Sequence, residues 1–123
     1  MTKIMVVDDD EQALTFLEDV LSMEGYEAII VKESSKAMEV ASSTKPDAFL
    51  LDLMMPDPDG FKICRMLRAN PNFKQAPILI VAALDNIDSK IVALGAGAND
   101  YLSKPFHIDV LASKIKTLFE EKE

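Results

Sequence analysis

Short apolar runs alternate along the whole chain with stretches whose apolar residues recur every three or four positions. The run "KIMVV" (Lys3–Val7) reads as a strand, and Ala13, Leu17, Val20 and Leu21 after it share one face of a helix. Gly25 stands where such a helix would stop. "EAIIV" (Glu27–Val31) predicts a second strand, rich in β-branched residues. Ala37, Val40 and Ala41 predict a short helix ended by Lys45-Pro46. "DAFLL" (Asp47–Leu51) is almost wholly apolar, so it predicts a strand covered on both faces. The loop "DLMMPDPDG" follows, punctuated by Pro56, Pro58 and Gly60. Ile63, Cys64 and Leu67 then mark a third helix, closed by "NPN" at 70–72. "PILIVAA" (Pro77–Ala83) predicts the fourth strand, Ile87, Ile91 and Leu94 the fourth helix, and "GAGAN" a turn. "DYLS" predicts a brief fifth strand, and Ile108, Leu111, Ile115 and Leu118 the inward face of a last helix.

Five strands alternating with five helices predict an α/β fold: a parallel sheet with helices on both faces, joined by right-handed crossovers. Open sheets of this kind bind ligands beyond the carboxyl ends of their strands. Asp8 and Asp9 fall at the end of strand one, Asp52 at the end of strand three and Lys104 at the end of strand five. The pattern therefore directs four charged residues toward one edge.

Composition narrows the reading. With 123 residues the chain is one domain, and its 49% hydrophobic and 28% charged residues are those of an ordinary globular protein. A net charge of −8 argues against direct contact with nucleic acid, whose phosphates call for Lys and Arg patches. No apolar run approaches the roughly 20 residues that cross a bilayer, and the start "MTKIMVVDDD" turns acidic too early for a signal peptide. A cytoplasmic location is expected. The single cysteine, Cys64, excludes an internal disulfide.

The acids Asp8, Asp9 and Asp10 demand a reason for standing together. Two like charges about 4 Å apart cost on the order of 4 kcal/mol at an effective dielectric of roughly 20. Asp10 suits the N-cap of the first helix. Asp8, Asp9 and Asp52 together ask for a cation, and magnesium matches best, since it takes oxygen ligands and often shares its remaining positions with phosphate. Lys104 supplies a mobile positive charge for a carboxylate or phosphoryl group. An aspartate can itself take a phosphoryl group as a nucleophile.

These stretches, "VVDDD", "LLDLMMPDPDG" and "DYLSKPF", in this order and spacing, resemble the receiver domain of two-component response regulators. The resemblance covers essentially the whole chain, residues 1–123. It implies a doubly wound sheet of flavodoxin-like order 2-1-3-4-5. It also implies that Asp52 is the phosphoacceptor. Magnesium would then be held by Asp8, Asp9, Asp52 and the backbone carbonyl of Met54. Lys104, before Pro105, would contact the phosphoryl group across a Lys–Pro bond that is often cis, and Tyr101 would be a switch aromatic. The implied partner is a histidine kinase or phosphotransfer protein. An output domain, fused after Glu123 or separate, and a homodimer through the face around Lys90 to Lys116 are further implications.

One position departs from the pattern. The fourth strand of such domains ends in Thr or Ser followed by Ala, whereas here the pair is Ala82-Ala83. The absent hydroxyl would hydrogen-bond a phosphoryl oxygen and draw the adjoining loop inward. A hydrogen bond to a charged group contributes about 1.5–3 kcal/mol. That is comparable to a typical coupling between sites of about 1–3 kcal/mol. Ala82 therefore predicts retained phosphate acceptance with a weakened readout, the alternative being a phosphorylation-independent interaction module. The milder alternative is that nearby Ser103 or a water replaces the missing donor.

Other features read more simply. Asp57 and Asp59 in "DPDG" lack the spacing of a calcium loop and predict a turn. "GAGAND" is not a dinucleotide fingerprint, because it follows a helix and precedes a strand. "DDDEQ" after strand one would repel a flavin phosphate, which disfavours an electron carrier. His107 is expected at the surface and Cys64 in the core.

Overall fold

The computed structural model describes residues 1–83 and 87–122. Its elements in chain order are β1 (Lys3–Val7), α1 (Glu11–Met23), β2 (Glu27–Val31), a single 3-10 turn (Ser34–Lys36) running into α2 (Ala37–Thr44), β3 (Ala48–Leu51), α3 (Gly60–Ala69), β4 (Ile78–Ala82), α4 (Ile87–Gly95), β5 (Asp100–Ser103) and α5 (Ile108–Lys122). The five strands pair in parallel in the order β2-β1-β3-β4-β5. The predicted α/β class, element count and strand order all stand.

Alternation along the strands builds two cores at once. Met5, Val7, Phe49, Leu51, Ile78, Ile80 and Tyr101 point to one face, under α2, α3 and α4. Ile4, Val6, Leu50, Leu79, Val81 and Leu102 point to the other, under α1 and α5. Burial on both faces is why β3 and β4 read as continuous apolar runs. Both are trimmed at their ends relative to the sequence pattern: Asp47 and Pro77 precede the strands, and Ala83 lies past β4. Asp47 instead accepts the backbone N–H of Lys3 on its Oδ2, and the Pro77 carbonyl accepts that of Phe49.

Helix ends follow local chemistry. Asp10 caps α1 by accepting the Gln12 N–H, as its position predicts, and Asp59 caps α3 by accepting that of Lys62. Gly25, at φ 89°, turns the chain after α1. Lys45 takes the left-handed conformation at the end of α2, φ 52°. "GAGAN" is the predicted turn between α4 and β5, with Gly97 at φ 113°.

Three residues expected to face inward are exposed instead. Ile91 and Leu94 on α4 are 59% and 41% exposed, and Ile108 on α5 is 42% exposed. The side chain of Ile87 lies outside the described residues. The small side chains of Ala93 and Ala96 seat α4 instead. Alanine carries little hydrophobic signal, so the larger residues on the outer face dominated the periodicity. Ile108 stands in the first turn of α5, ahead of the buried stripe Leu111, Ile115 and Leu118.

Arg68 ties the far end of the fold together. Its guanidinium donates to the carbonyl oxygens of Gly97 (2.8 Å), Phe73 (3.1 Å) and Ala76 (2.7 Å) and to Asn99 Oδ1 (2.8 Å). Asn99 Oδ1 also accepts the N–H of Ile78, so one network joins the α3–β4 and α4–β5 connections. A Cβ on Gly97 would lie 2.6 Å from Arg68 Cγ, so that turn is closed to larger residues.

Candidate metal and phosphoacceptor site

The register of the sheet assembles the site. Val7 pairs with Leu51, so Asp8 and Asp52, each one residue past its strand, emerge side by side. Main-chain bonds prolong the ladder beyond the strands: Asp52 N–H to the Val7 carbonyl (3.0 Å), Asp8 N–H to that of Val31 (3.2 Å), and Lys104 N–H to that of Ala82 (2.8 Å). The tips of β2, β1 and β3 are thereby tied to one another, and the tip of β5 to that of β4, before any side chain acts.

Asp8, Asp9 and Asp52 each present a carboxylate oxygen within 4.8 Å of the others. Asp8 and Asp52 are buried, at 2% and 8% exposure, and Asp9 is open to solvent. Lys104 Nζ donates to Asp8 Oδ2 at 2.8 Å, and the N–H of Asp10 donates to Asp8 Oδ1 at 3.0 Å. Asp52 Oδ1 accepts the N–H of its neighbour Leu53 at 3.0 Å. Burial pushes the Asp52 carboxyl up to about 6, helped by the negative charges of Asp8 and, less, Asp9; Lys104 and the Leu53 N–H oppose the rise.

This donor set fits a hard divalent cation. It is all oxygen, it converges, and three carboxylates against one ammonium leave two negative charges to be balanced. The sequence-predicted residues Asp8, Asp9, Asp52 and Lys104 are thus brought together. Met54 lies in the loop after β3, its side chain 62% exposed. Ala82 is fully buried at the tip of β4, and its register partner on β5 is Ser103. Tyr101 is buried on β5, opposite Ile80. The Lys104–Pro105 bond is cis, as the sequence resemblance implies.

Gly60 is a site residue that the sequence reading passed over as loop punctuation. A Cβ there would sit 2.2 Å from the Asp52 carbonyl oxygen and 3.0 Å from Leu53 Cα. The first turn of α3 therefore abuts the main chain of Asp52, which only glycine permits. The signal was present in "DPDG", where Asp59 caps the helix and Gly60 opens it. Asp57 pairs with Lys62 at 3.1 Å on the surface, His107 is exposed, and Cys64 is buried with its Sγ 3.5 Å from the Ala96 carbonyl. None of these three belongs to the acid cluster.

Comparison with known proteins agrees with this architecture. The sequence profile of the response regulator receiver domain matches residues 4–116. The response regulator MprA of Mycolicibacterium vanbaalenii is 38% identical over 116 residues, covering 94% of this chain and 49% of that protein. The chain spans about half the length of the curated relatives it matches. Among solved structures, a candidate response regulator from Chloroflexus aurantiacus superposes with a TM-score of 0.92 at 35% identity, covering 97% of this chain and 98% of that one. The beryllofluoride-activated N-terminal receiver domain of Klebsiella pneumoniae RstA gives 0.89 at 33% identity, covering 94% and 97%. Matched along nearly its full length and folded with the same strand order, the chain belongs to the response regulator receiver domain family, a signalling rather than a metabolic family.

Proposed function

We propose that residues 1–123 act as one receiver unit that accepts a phosphoryl group on Asp52 from a histidine kinase or phosphotransfer protein. Mg2+ would be held by Asp8, Asp9, Asp52 and the Met54 backbone carbonyl. The observation that carries this reading is the convergence of three carboxylates within 4.8 Å at the strand tips, with Lys104 against Asp8. When bound, the ion neutralises the acid cluster and screens charge on the phosphoryl oxygens.

The chain's own residues do the rest. A carboxylate oxygen of Asp52 attacks phosphorus, and the bond to the donor nitrogen breaks with its electron pair leaving on the imidazole. The Leu53 N–H at 3.0 Å holds Asp52 Oδ1 and so fixes the attitude of the carboxylate. A carboxyl raised to about 6 is still mostly ionised at neutral pH, yet more basic than an ordinary aspartate. Lys104 provides the ammonium that pairs with the incoming phosphoryl oxygens.

Readout is where this chain departs. Ala82 offers a buried methyl at the β4 tip, so phosphorylation lacks the hydroxyl that would couple it to the loop beyond β4. Switching through Tyr101 is correspondingly weakened. The same substitution favours a second reading, a module that binds partners without phosphate. The double length of the relatives supports an output domain, fused or separate. Exposed Ile91, Val92 and Leu94 on α4 support contact, including homodimerisation, through α4, β5 and α5. The charge of −8 speaks against direct nucleic-acid contact by this unit. No described helix is long and apolar enough to cross a membrane, which accords with action in the cytoplasm. Transfer of radiolabelled phosphoryl from a phosphorylated kinase tests the proposal: wild type is labelled and Asp52→Ala is not. An unlabelled wild type supports the second reading.

A further inference from the structure

We propose that Glu11 is a positioning residue for the metal site: by pairing with Lys32 it holds a second ammonium away from Asp9, the acid through which the cluster opens to solvent. This rests on the metal site proposed above and adds to it a pair of residues outside the donor set.

The sheet register itself brings Lys32 to the site. Val7 pairs with Val31, so Lys32 stands one residue past β2 as Asp8 stands one past β1, and the Asp8 N–H bonds to the Val31 carbonyl at 3.2 Å. Lys32 and Asp9 line one cleft of about 290 Å3, whose walls include Ser34, Pro56 and Asp57. Buried Ser34 donates its hydroxyl to the Pro56 carbonyl at 2.9 Å, which ties the β2–α2 connection to the loop after β3 and fixes those walls. An ammonium on a flexible four-carbon stem in this cleft has the exposed Asp9 carboxylate as a natural partner. It pairs instead with Glu11, in the first turn of α1, where Lys32 Nζ lies 2.6 Å from Glu11 Oε1. That bond is the largest influence raising the Lys32 ammonium above its ordinary pKa, with Glu33 and Asp9 adding smaller attractions. Both side chains are more than half exposed, at 53% and 76%, so the pair adds little to stability. Its effect lies in where the charge is held. With Lys32 neutralised by Glu11, the acid cluster keeps the excess of negative charge that a dication needs. Without Glu11, Lys32 turns to Asp9 and a dication has to displace it.

A double-mutant cycle tests this, read by Mg2+ titration of the nuclear magnetic resonance spectra with no phosphodonor present. Glu11→Gln binds Mg2+ about fivefold more weakly than wild type, the factor for one unit charge at close range in water. In a Lys32→Met background the same Glu11→Gln change costs less than about twofold, because the ammonium it would release is gone. In metal-free protein Glu11→Gln moves the carboxyl carbon resonance of Asp9, and Lys32→Met removes most of that movement. An equal loss of Mg2+ affinity in the two backgrounds means that Glu11 acts only as one more negative charge. The positioning role is then wrong although the metal site stands. If Mg2+ leaves the wild-type spectra undisturbed, the positioning role and the metal-site reading both fall.

Discussion

The carbonyl oxygen of Ala82 accepts the main-chain N–H of Lys104 at 2.8 Å, so the position lacking a switch hydroxyl is bonded directly to the lysine of the site. Restoring a hydroxyl at 82 tests what its absence does. Ala82 is fully buried, so any larger residue costs about 1–3 kcal/mol in packing. Ala82→Val adds nearly the volume of Ala82→Thr without the hydroxyl, and the two variants should lose similar stability. Only Ala82→Thr should widen the ratio of phosphorylated to unphosphorylated partner affinity, by about ten- to a hundredfold for a charged hydrogen bond of about 1.5–3 kcal/mol. Equal ratios in the two variants, measured by calorimetry, would count against a readout limited by the hydroxyl.

Asp52 makes stability depend on pH in a direction opposite to that of a salt-bridged acid. Its carboxyl rises from 3.8 to about 6 on folding, so the native state holds the proton more tightly than the unfolded chain. Its contribution is fully favourable below 3.8 and is lost as pH rises through 6. The loss amounts to about 3 kcal/mol at neutral pH in the absence of metal. Asp52→Asn, neutral at every pH, should therefore be more stable than wild type in EDTA at pH 7.5, and the gap should close toward pH 4. Urea denaturation at several pH values checks this. Because Mg2+ needs the ionised form, its stabilisation of wild type should grow as pH rises through 6.

Gly60→Ala should damage the site without touching a charged group. The added Cβ meets the Asp52 carbonyl oxygen at 2.2 Å, and backbone on both sides leaves no flexible side chain to give way. Either α3 shifts or the Asp52 main chain does. The expected result is a fold less stable by about 2 kcal/mol or more, with phosphoryl uptake slowed well beyond what that loss explains. Phosphotransfer rates measured on the folded fraction separate the two effects.

Arg68 should matter to stability and not to chemistry. Replacing it by Ala removes a charged donor from the Gly97, Phe73 and Ala76 carbonyls and from Asn99 Oδ1 at once, although Asn99 Oδ1 keeps the Ile78 N–H and the Phe73 carbonyl that of Ala76. A cost of about 3 kcal/mol follows from bonds to a charged donor, which lowers the melting temperature by on the order of 10 °C. Lys cannot spread over the same acceptors, so Arg68→Lys should recover little of the loss. Mg2+ affinity should be unchanged in both variants, as a titration would show.

How far these features could be read from the sequence varies with their cause. The presence of five strands and the meeting of Asp8, Asp9, Asp52 and Lys104 at one edge were legible because each strand carries its own apolar run and each charged residue stands at a run's end. The strand order followed only from the resemblance to receiver domains. The outward turn of Ile91 and Leu94 was not, since alanines at 93 and 96 seat α4 by being small. Arg68 was silent because it binds main-chain carbonyls, whose partners no side-chain pattern encodes. The clasp of Lys104 on Asp8 joins residues 96 positions apart, and only the folded strand tips reveal it.

The central claim is that Asp52, within a cluster built to hold Mg2+, receives the phosphoryl group. Nuclear magnetic resonance titration with Mg2+ and beryllofluoride tests it most directly. The account predicts shifts centred on Asp8, Asp9, Asp52, Met54 and Lys104 in wild type, with the beryllofluoride-dependent part lost in Asp52→Asn. Unperturbed resonances at those residues under saturating Mg2+ and beryllofluoride would contradict it.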